Sequence, residues 1–360
     1  MEPSLVQSWP IAWQIVIFVL GLVVGVFFLV KFCDIFVDGS VALAKRLKIS
    51  PLIIGLTIVA IGTSCPELAV SVSDSISCLI NGGNANVAIG NVVGSNICNL
   101  LIVLGFSAVF TPIIVKKSIC KREYPFLLII TAVTIFFGLL FGLHSVTGDY
   151  AIVRWEGIVL CVLCVIYILF LIYNAKKHPE DIDLEEEKEQ TTNEDVKEEK
   201  PMPIWKMLLF IVLGAAGVVA GGELVVFGAK GLALTISDAA GLNHDLAESL
   251  VGLTIVAVGT SLPELVTSVI AAKKGQNEVA LGNVIGSNIF NVLFVLGISA
   301  TINPLTTGSQ IVVDLIVMGV ATVVVYVIAL FGKINRKHGI LLLGLYACYL
   351  AYLITRTLIG

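Results

Sequence analysis

Two glutamates, Glu67 and Glu264, lie within long apolar stretches, and each ends the same short sequence, Gly-Thr-Ser-x-Pro-Glu. A charge near the centre of a bilayer costs at least about 2.5 to 3.5 kcal/mol, so such a carboxylate indicates a functional site. Because the preceding proline lacks an N–H group, the carbonyl four residues earlier loses its helical partner. We expect both helices to break at the proline and to leave the backbone carbonyls near Ala60 and Ala257 available as ligands.

Other oxygen-bearing side chains accompany both glutamates. Hydroxyl groups come three and four residues before each glutamate, on the same helical face if the helix is continuous. On the next apolar stretch, asparagine or serine recurs at every fourth position. The candidate ligands from these two groups are Thr63, Ser64, Ser95, Asn99, Thr260, Ser261, Ser287 and Asn291. Asn91 and Asn283 begin the same stripes, and either ion binding or helix-to-helix packing would explain them.

Carboxylate, hydroxyl, amide and carbonyl oxygens are hard ligands, which favour calcium or sodium over zinc or copper. The four histidines, at positions 144, 178, 244 and 338, fall in loops or at the ends of apolar stretches. The pair Cys161 and Cys164 lies in an apolar stretch without histidine or carboxylate neighbours. No nucleophile is accompanied by a general base, so neither an enzyme nor a bound cofactor is indicated.

The composition indicates an all-α integral membrane protein. Of 360 residues, 57% are apolar and only 13% are charged, whereas soluble proteins have roughly 25% charged residues. A helix needs about 20 apolar residues to cross the hydrocarbon core. Ten stretches meet this length, at 11–37, 51–78, 85–111, 125–143, 154–173, 204–229, 247–272, 279–301, 310–331 and 339–358.

Lysine and arginine concentrate in cytoplasmic loops, so their distribution predicts the orientation. The loops around residues 45–48, 116–122, 273–274 and 333–337 carry most of them. Residues 174–203 contain eleven acidic and five basic side chains and no apolar periodicity, as is typical of a disordered linker. We therefore predict a cytoplasmic linker between two five-helix units, 1–173 and 204–360, with both termini outside. The basic residues are spread over many loops, so nucleic-acid binding is not indicated.

The two units are repeats. "GLTIVAIGTSCPELAVSV" from Gly55 returns as "GLTIVAVGTSLPELVTSV" from Gly252, and "GNVVGSNICNLLIVLG" from Gly90 returns as "GNVIGSNIFNVLFVLG" from Gly282. Because each unit has an odd number of spans, the second must be inverted in the membrane. The predicted fold is thus ten helices in two inverted repeats, with motif helices 2 and 7 broken. Substrate sites of such proteins lie near the midplane, where the repeats meet.

A few polar residues fall outside these motifs. Asp74 lies two turns beyond Glu67, but its equivalent in the second repeat is Ala271, so we predict a peripheral or gate-lining position. Lys31, Asp34 and Asp38 on the first helix are expected to pair locally or to reach the membrane surface.

The two motifs resemble the alpha-repeats of sodium/calcium exchangers, within the calcium/cation antiporter superfamily and its prokaryotic members. The resemblance implies that Glu67 and Glu264 bind calcium and that the oxygens named above complete overlapping sodium and calcium sites. It further implies that helices 2, 3, 7 and 8 form a core across which helices 1 and 6 slide. The short linker, without folded regulatory domains, fits a prokaryotic plasma membrane best. Potassium-dependent relatives have aspartate where this chain has Asn291, so potassium transport is not expected.

One alternative is proton-coupled calcium export, in which the two glutamates titrate. Proton/calcium exchangers usually have Gly-Asn-Ala-x-Glu where this chain has Gly-Thr-Ser-x-Pro-Glu, which favours sodium. A channel is a second alternative, disfavoured because paired carboxylates at an inverted midplane suggest occluded binding.

Overall fold

The structure is a computed structural model that describes residues 9–81, 86–139, 150–177, 202–239, 257–307 and 309–359. The described residues are almost entirely helical. In the first half the helices are α1 Ile11–Leu47, α2 Pro51–Ile54, α3 Ala60–Thr63, α4 Cys65–Asn81, α5 Asn86–Cys98, α6 Leu104–Phe110, α7 Lys117–Lys121, α8 Glu123–Leu139 and α9 Arg154–Lys177. In the second half they are α10 Ile204–Ala239, α11 Ala257–Thr260, α12 Leu262–Lys273, α13 Asn277–Phe290, α14 Gly297–Ile302, α15 Ser309–Leu330 and α16 Arg336–Ile359. Wider π-helical turns occupy Gly55–Val59, Asn99–Val103 and Asn291–Leu296.

Among the described residues, eight helices are long and apolar enough to cross a membrane, and the bent pair Pro51–Thr63 and Cys65–Asn81 makes a ninth. They correspond to nine of the ten predicted stretches. The other stretch, 247–272, begins outside the described residues and ends in α11 and α12. A helical membrane fold is therefore confirmed. Most of the predicted linker, residues 178–201, also lies outside the described part of the chain.

Helices α1 and α10 are longer than the predicted spans, with 37 and 36 residues. Such helices measure about 55 Å, well beyond the hydrocarbon thickness of about 30 Å. They pack against each other through glycines. A Cβ atom on Gly221 would lie 2.7 Å from the Leu29 backbone nitrogen, and one on Gly25 would lie 2.8 Å from Val225. A charged residue, Asp38 in α1 and Lys230 in α10, ends each apolar stretch but not the helix, so apolar length alone underestimated both helices.

Helix α13 is buried along nearly its whole length and packs on the N-terminal part of the first motif. A Cβ atom on Gly282 would lie 2.7 Å from the Leu52 carbonyl oxygen. One on Gly286 would lie 2.7 Å from the Leu56 Cα atom and 2.8 Å from the Ala60 Cβ atom. The absence of side chains at these glycines therefore allows the second repeat to approach the first within backbone contact.

Four short strands join loops that are distant in sequence. Strand β1, Ile113–Ile114, pairs antiparallel with β4, Lys333–Ile334. Strand β2, Tyr150–Ile152, pairs antiparallel with β3, Leu305–Thr307. The sequence pattern did not predict these strands because each has only two or three residues.

Lysines of the predicted basic loops form ion pairs with acidic residues that are distant in sequence. Lys116 Nζ lies 2.5 Å from Glu278 Oε1, and Lys274 Nζ lies 2.7 Å from Asp38 Oδ1 and 3.3 Å from Asp34 Oδ1. Asp34 and Asp38, expected to pair locally or to reach the membrane surface, are about half-exposed and pair with Lys274, which the turn after α12 brings to them from the second repeat.

Asp74, by contrast, has a local structural function. Its Oδ2 atom accepts a hydrogen bond of 3.0 Å from the backbone nitrogen of Ala88, in the first turn of α5. The first N–H groups of a helix lack partners within that helix, so this carboxylate caps α5.

Candidate ion-binding site

Both motif helices break at a serine. The helix through Pro51–Thr63 and the helix Cys65–Asn81 are bent by 49°. Ser64 has φ −84° and ψ 8°, and Ser261 has φ −87° and ψ 3°. The expected breaks are present but lie two residues before the prolines. Pro66 and Pro263 instead occupy the first turn of the next helix, where a backbone N–H group is not needed.

These breaks direct the hydroxyl groups of one motif toward the carboxylate of the other. Ser64 Oγ donates a hydrogen bond of 3.0 Å to Glu264 Oε1. Thr63 also faces Glu264, and Thr260 faces Glu67. The hydroxyls were expected on the face of the glutamate in their own motif, which would hold only for a continuous helix. The two carboxylates are close enough to interact electrostatically.

Asn91 and Asn283 hold neighbouring helices together in the same way in both repeats. Asn91 Nδ2 donates to the Glu67 carbonyl oxygen at 3.2 Å and to Ser71 Oγ at 3.0 Å. Asn283 Nδ2 donates to the Glu264 carbonyl oxygen at 3.4 Å and to Ser268 Oγ at 2.9 Å. The amide NH₂ groups are thus engaged in packing, which was one of the two interpretations of these residues. They fix the backbone of each glutamate.

Several oxygen atoms near the breaks are buried without a hydrogen-bond partner among the described residues. They are both carboxylate oxygens of Glu67, Oε2 of Glu264, Oγ of Ser261, and Oδ1 of Asn99 and Asn291. Both glutamates are 0% exposed. A buried polar group without a partner is costly, and a carboxylate more so, unless something else neutralises it. Cations fit this set of oxygens.

The other predicted ligands lie around this group. Thr63 Oγ1 donates to Asn283 Oδ1 at 3.0 Å and lies 3.5 Å from Ser287 Oγ. Ser95 faces Glu67, and its hydroxyl donates to the Asn91 carbonyl oxygen at 2.8 Å. The Ala60 carbonyl oxygen already accepts bonds from Ser64 N and Thr63 Oγ1. Ala257 begins α11, at the edge of the described residues. Ion binding by these groups stays a prediction.

Two features of this region were not predicted. Asn99 and Asn291 each begin a π-helical turn, a local widening that often occurs at functional sites. Asn96 and Asn288, beside the predicted stripes, are also buried and hydrogen-bonded. The sequence offers no clear signal for the π turns, whereas the recurrence of "GSNI" in both repeats could have drawn attention to the two asparagines.

Within the described residues, no three His, Cys, Asp or Glu side chains cluster to hold a metal ion. A site here must therefore rely on two carboxylates supplemented by neutral oxygens, a donor set suited to hard cations. A helical membrane protein with such buried carboxylates belongs to the class of ion-transport proteins.

The chain belongs to the sodium/calcium exchanger family. The sequence profile described as "Sodium/calcium exchanger protein" matches residues 17–173 and 206–355. The protein is thus a multi-span membrane protein and a cation antiporter.

Similar proteins extend over nearly the whole chain. A candidate antiporter, CaxA of Alkalimonas amylolytica, is 38% identical over 91% of this chain and 96% of its own. The sodium/calcium exchanger MaX1 of Methanosarcina acetivorans is 31% identical over 92% of this chain and 97% of its own. A structure of the sodium-calcium exchanger NCX_Mj, soaked with 10 mM Na⁺ and 10 mM Sr²⁺, superposes with a TM-score of 0.74 at 32% identity, covering 94% of this chain and 98% of that one.

Proposed function

We propose that this protein exchanges calcium for sodium across a plasma membrane by alternating access, without potassium. The observation that carries the proposal is the group of buried, unpartnered oxygens around Glu67 and Glu264. Two carboxylates supply a formal charge of −2, which one calcium ion balances. Sodium ions bound to the same oxygens would displace calcium, and this competition couples the two fluxes. The names of MaX1 and NCX_Mj support the same pair of ions.

The proposed ligands are those predicted from the sequence. They are the side chains of Glu67, Glu264, Thr63, Ser64, Ser95, Asn99, Thr260, Ser261, Ser287 and Asn291, with the carbonyl oxygens of Ala60 and Ala257. Potassium independence rests on Asn291, because an amide adds no third negative charge to the site.

The strand pairs support ten spans. Strands that pair must lie on the same side of the membrane, so an even number of spans must separate them. Between β1 and β4 the described residues contain five separate candidate spans, from Lys117–Leu139 to Ile311–Leu330. The stretch 247–272 supplies the sixth if it crosses the membrane. Ten spans then divide into two five-span units of opposite orientation, residues 1–173 and residues 204–360.

The charged loops support the orientation. Lys116 and Lys274 contact acidic residues from other loops or helix ends at one end of the molecule, and Lys333 lies there in β4 beside β1. Because positively charged loops are cytoplasmic, this end faces the cytoplasm, as does the linker, and both termini lie outside.

Helices α1 and α10 are the proposed moving part. They contact each other along their length, and α1 also packs on the motif helices, where Cys33 Sγ lies 3.2 Å from Thr267 Oγ1. Phe36 of α1 lies against Gly62, where a Cβ atom would be 2.8 Å from its ring, and Gly222 of α10 lies against Pro263. Sliding of this pair over both breaks would open the site to one side and then to the other.

The test is calcium-45 uptake into proteoliposomes loaded with sodium, compared with vesicles loaded with potassium or choline. We expect uptake only with internal sodium, and its loss in Glu264→Gln. Glu123→Gln is the matched control, since Glu123 is also a buried carboxylate but accepts from Tyr167 OH at 3.3 Å, away from the motifs. Its uptake should equal that of the wild type.

Three results would contradict the proposal. Sodium-independent uptake that follows an imposed pH gradient would indicate proton coupling. Currents far above turnover-limited flux would indicate a channel. Full activity of Glu264→Gln would refute the assignment of the site.

A further inference from the structure

Asn96 connects the two repeats although it lies outside the predicted ligand stripe. It is 1% exposed and belongs to α5. Its Nδ2 atom donates to the backbone carbonyl oxygen of Asn288 at 3.2 Å and lies 3.7 Å from the Met318 sulfur. Its Oδ1 atom accepts a hydrogen bond of 3.2 Å from Asn291 Nδ2. One asparagine is thus bonded to a backbone acceptor and to one of the proposed ion ligands.

This arrangement dictates which end of the Asn291 amide remains free. A backbone carbonyl oxygen only accepts hydrogen bonds, so the NH₂ group of Asn96 must face Asn288. The oxygen of Asn96 then faces Asn291, which must present its own NH₂ group in return. The Asn291 oxygen is left buried and without a partner among the described residues. The orientation therefore follows from donor and acceptor chemistry along a chain of three groups.

The equivalent hydrogen bonds, from Asn288 of the second repeat to Asn99 of the first, are not formed among the described residues. Asn288, which matches Asn96 in the repeat, donates from Nδ2 to Val284 O of its own helix at 2.7 Å. Asn99, which matches Asn291, has neither amide atom hydrogen-bonded within the described part of the chain. The sequence repeat is therefore not matched by a repeat of these contacts, and of the two equivalent ligands only Asn291 is held.

We propose that Asn96 is a positioning residue for calcium, because it fixes the Asn291 amide with its oxygen, and not its NH₂ group, available to the ion. This inference rests on the proposed function. An NH₂ group turned toward a divalent cation would be repelled, and an amide free to flip would have to be ordered on binding. Residues that orient a metal ligand typically change metal affinity 10- to 100-fold when they are removed. We expect Asn96→Leu to weaken calcium binding by about tenfold or more, with a maximal transport rate within about twofold.

The experiment is a double-mutant cycle read out by equilibrium calcium-45 binding in detergent and by the KM and maximal rate of uptake. Asn96→Leu is combined with Asn291→Asp, whose two equivalent oxygens present a ligand atom in either orientation. We expect Asn96→Leu to lower calcium affinity when Asn291 is unchanged. In the Asn291→Asp variant, the same substitution should lower calcium affinity by less than about twofold. Asn288→Leu is the control, since within the described residues the Asn288 side chain bonds to Val284 O of its own helix and to no proposed ligand, and the calcium affinity of this variant should stay near the wild-type value.

Equal losses of affinity in both backgrounds would indicate a merely structural role, and no loss in either would also overturn the proposal. If Asn96→Leu does not fold, Asn96→Ala carries the same cycle, because alanine removes the bonds to both Asn288 and Asn291 with a smaller apolar side chain. Absence of calcium binding by the wild-type protein would refute the proposed function itself, a result distinct from an altered pattern among variants.

Discussion

The Ser64 hydroxyl donates a hydrogen bond of 3.0 Å to Glu264 Oε1 although 200 positions separate the two residues. This contact joins the break of the first motif helix to the carboxylate of the second. Glu264 therefore depends on the first repeat for the orientation of its carboxylate. A substitution at Ser64 in the first motif should consequently change ion binding by Glu264 in the second.

Replacing Ser64 by alanine tests this dependence. The variant leaves Glu264 without its donor, and a hydrogen bond to a charged group is worth about 1.5 to 3 kcal/mol. We expect the KM for calcium uptake to rise by roughly tenfold or more. Ser75→Ala is the control, because Ser75 is also a buried serine on α4 but its hydroxyl has no partner in the described structure. Similar effects of both substitutions would show that Ser64 has no special relation to Glu264.

Calcium should stabilise the folded protein through the two glutamates. A ligand present at 100 times its Kd stabilises the state that binds it by about 2.7 kcal/mol. In detergent without sodium, the Tm of the wild type should rise with calcium concentration, and that of Glu67→Gln should not. Without either ion, Glu67→Gln should melt at or above the wild-type temperature, because one of two neighbouring buried charges has been removed. A calcium-dependent Tm in this variant would place the ion elsewhere.

The close contact of α13 with the first motif should be intolerant of added atoms. A Cβ atom on Gly286 would meet Leu56 Cα at 2.7 Å, so Gly286→Ala must push the two repeats apart. We expect a loss of about 1 to 3 kcal/mol of stability, together with weaker calcium binding. Gly344→Ala is the matched control, because a Cβ atom there has nothing within 4 Å in the described structure. Thermal unfolding of both variants in detergent provides the comparison.

The ion pair between Arg356 and Asp314 should contribute to stability and not to transport. Arg356 Nη1 lies 3.2 Å from both oxygens of Asp314, which also accepts from Tyr349 OH at 3.1 Å. Removing one partner of a buried pair leaves an uncompensated charge, and the partial exposure here reduces the cost to about 1 to 3 kcal/mol for Arg356→Met. The double variant Arg356→Met with Asp314→Asn should be more stable than Arg356→Met alone. The opposite order of melting temperatures would contradict this account.

The membrane helices, the duplication and the proposed ligands could be predicted because each depends on residues that are close in sequence. Apolar length predicts a span, and Pro66 predicts a break within a few residues. The prediction failed where the outcome depended on distant segments. The pairing of Asp38 with Lys274 of the second repeat was not predicted, and α1 continues past its apolar stretch because α10 packs against it.

The amino-acid sequence alone determined that the chain is a duplicated helical membrane protein with one carboxylate in each motif, since hydropathy, proline chemistry and repetition are local properties. Only the tertiary structure decided that Ser64 donates a hydrogen bond to Glu264 rather than to Glu67. It also decided that Asn96 is hydrogen-bonded to Asn291, whereas Asn288 bonds within its own helix and not to Asn99. The physical reason is that a hydrogen bond depends on distance and direction in space. The bend at each serine and the glycine contacts between the repeats determine this distance and direction. Spacing along one helix predicts neither the distance nor the direction.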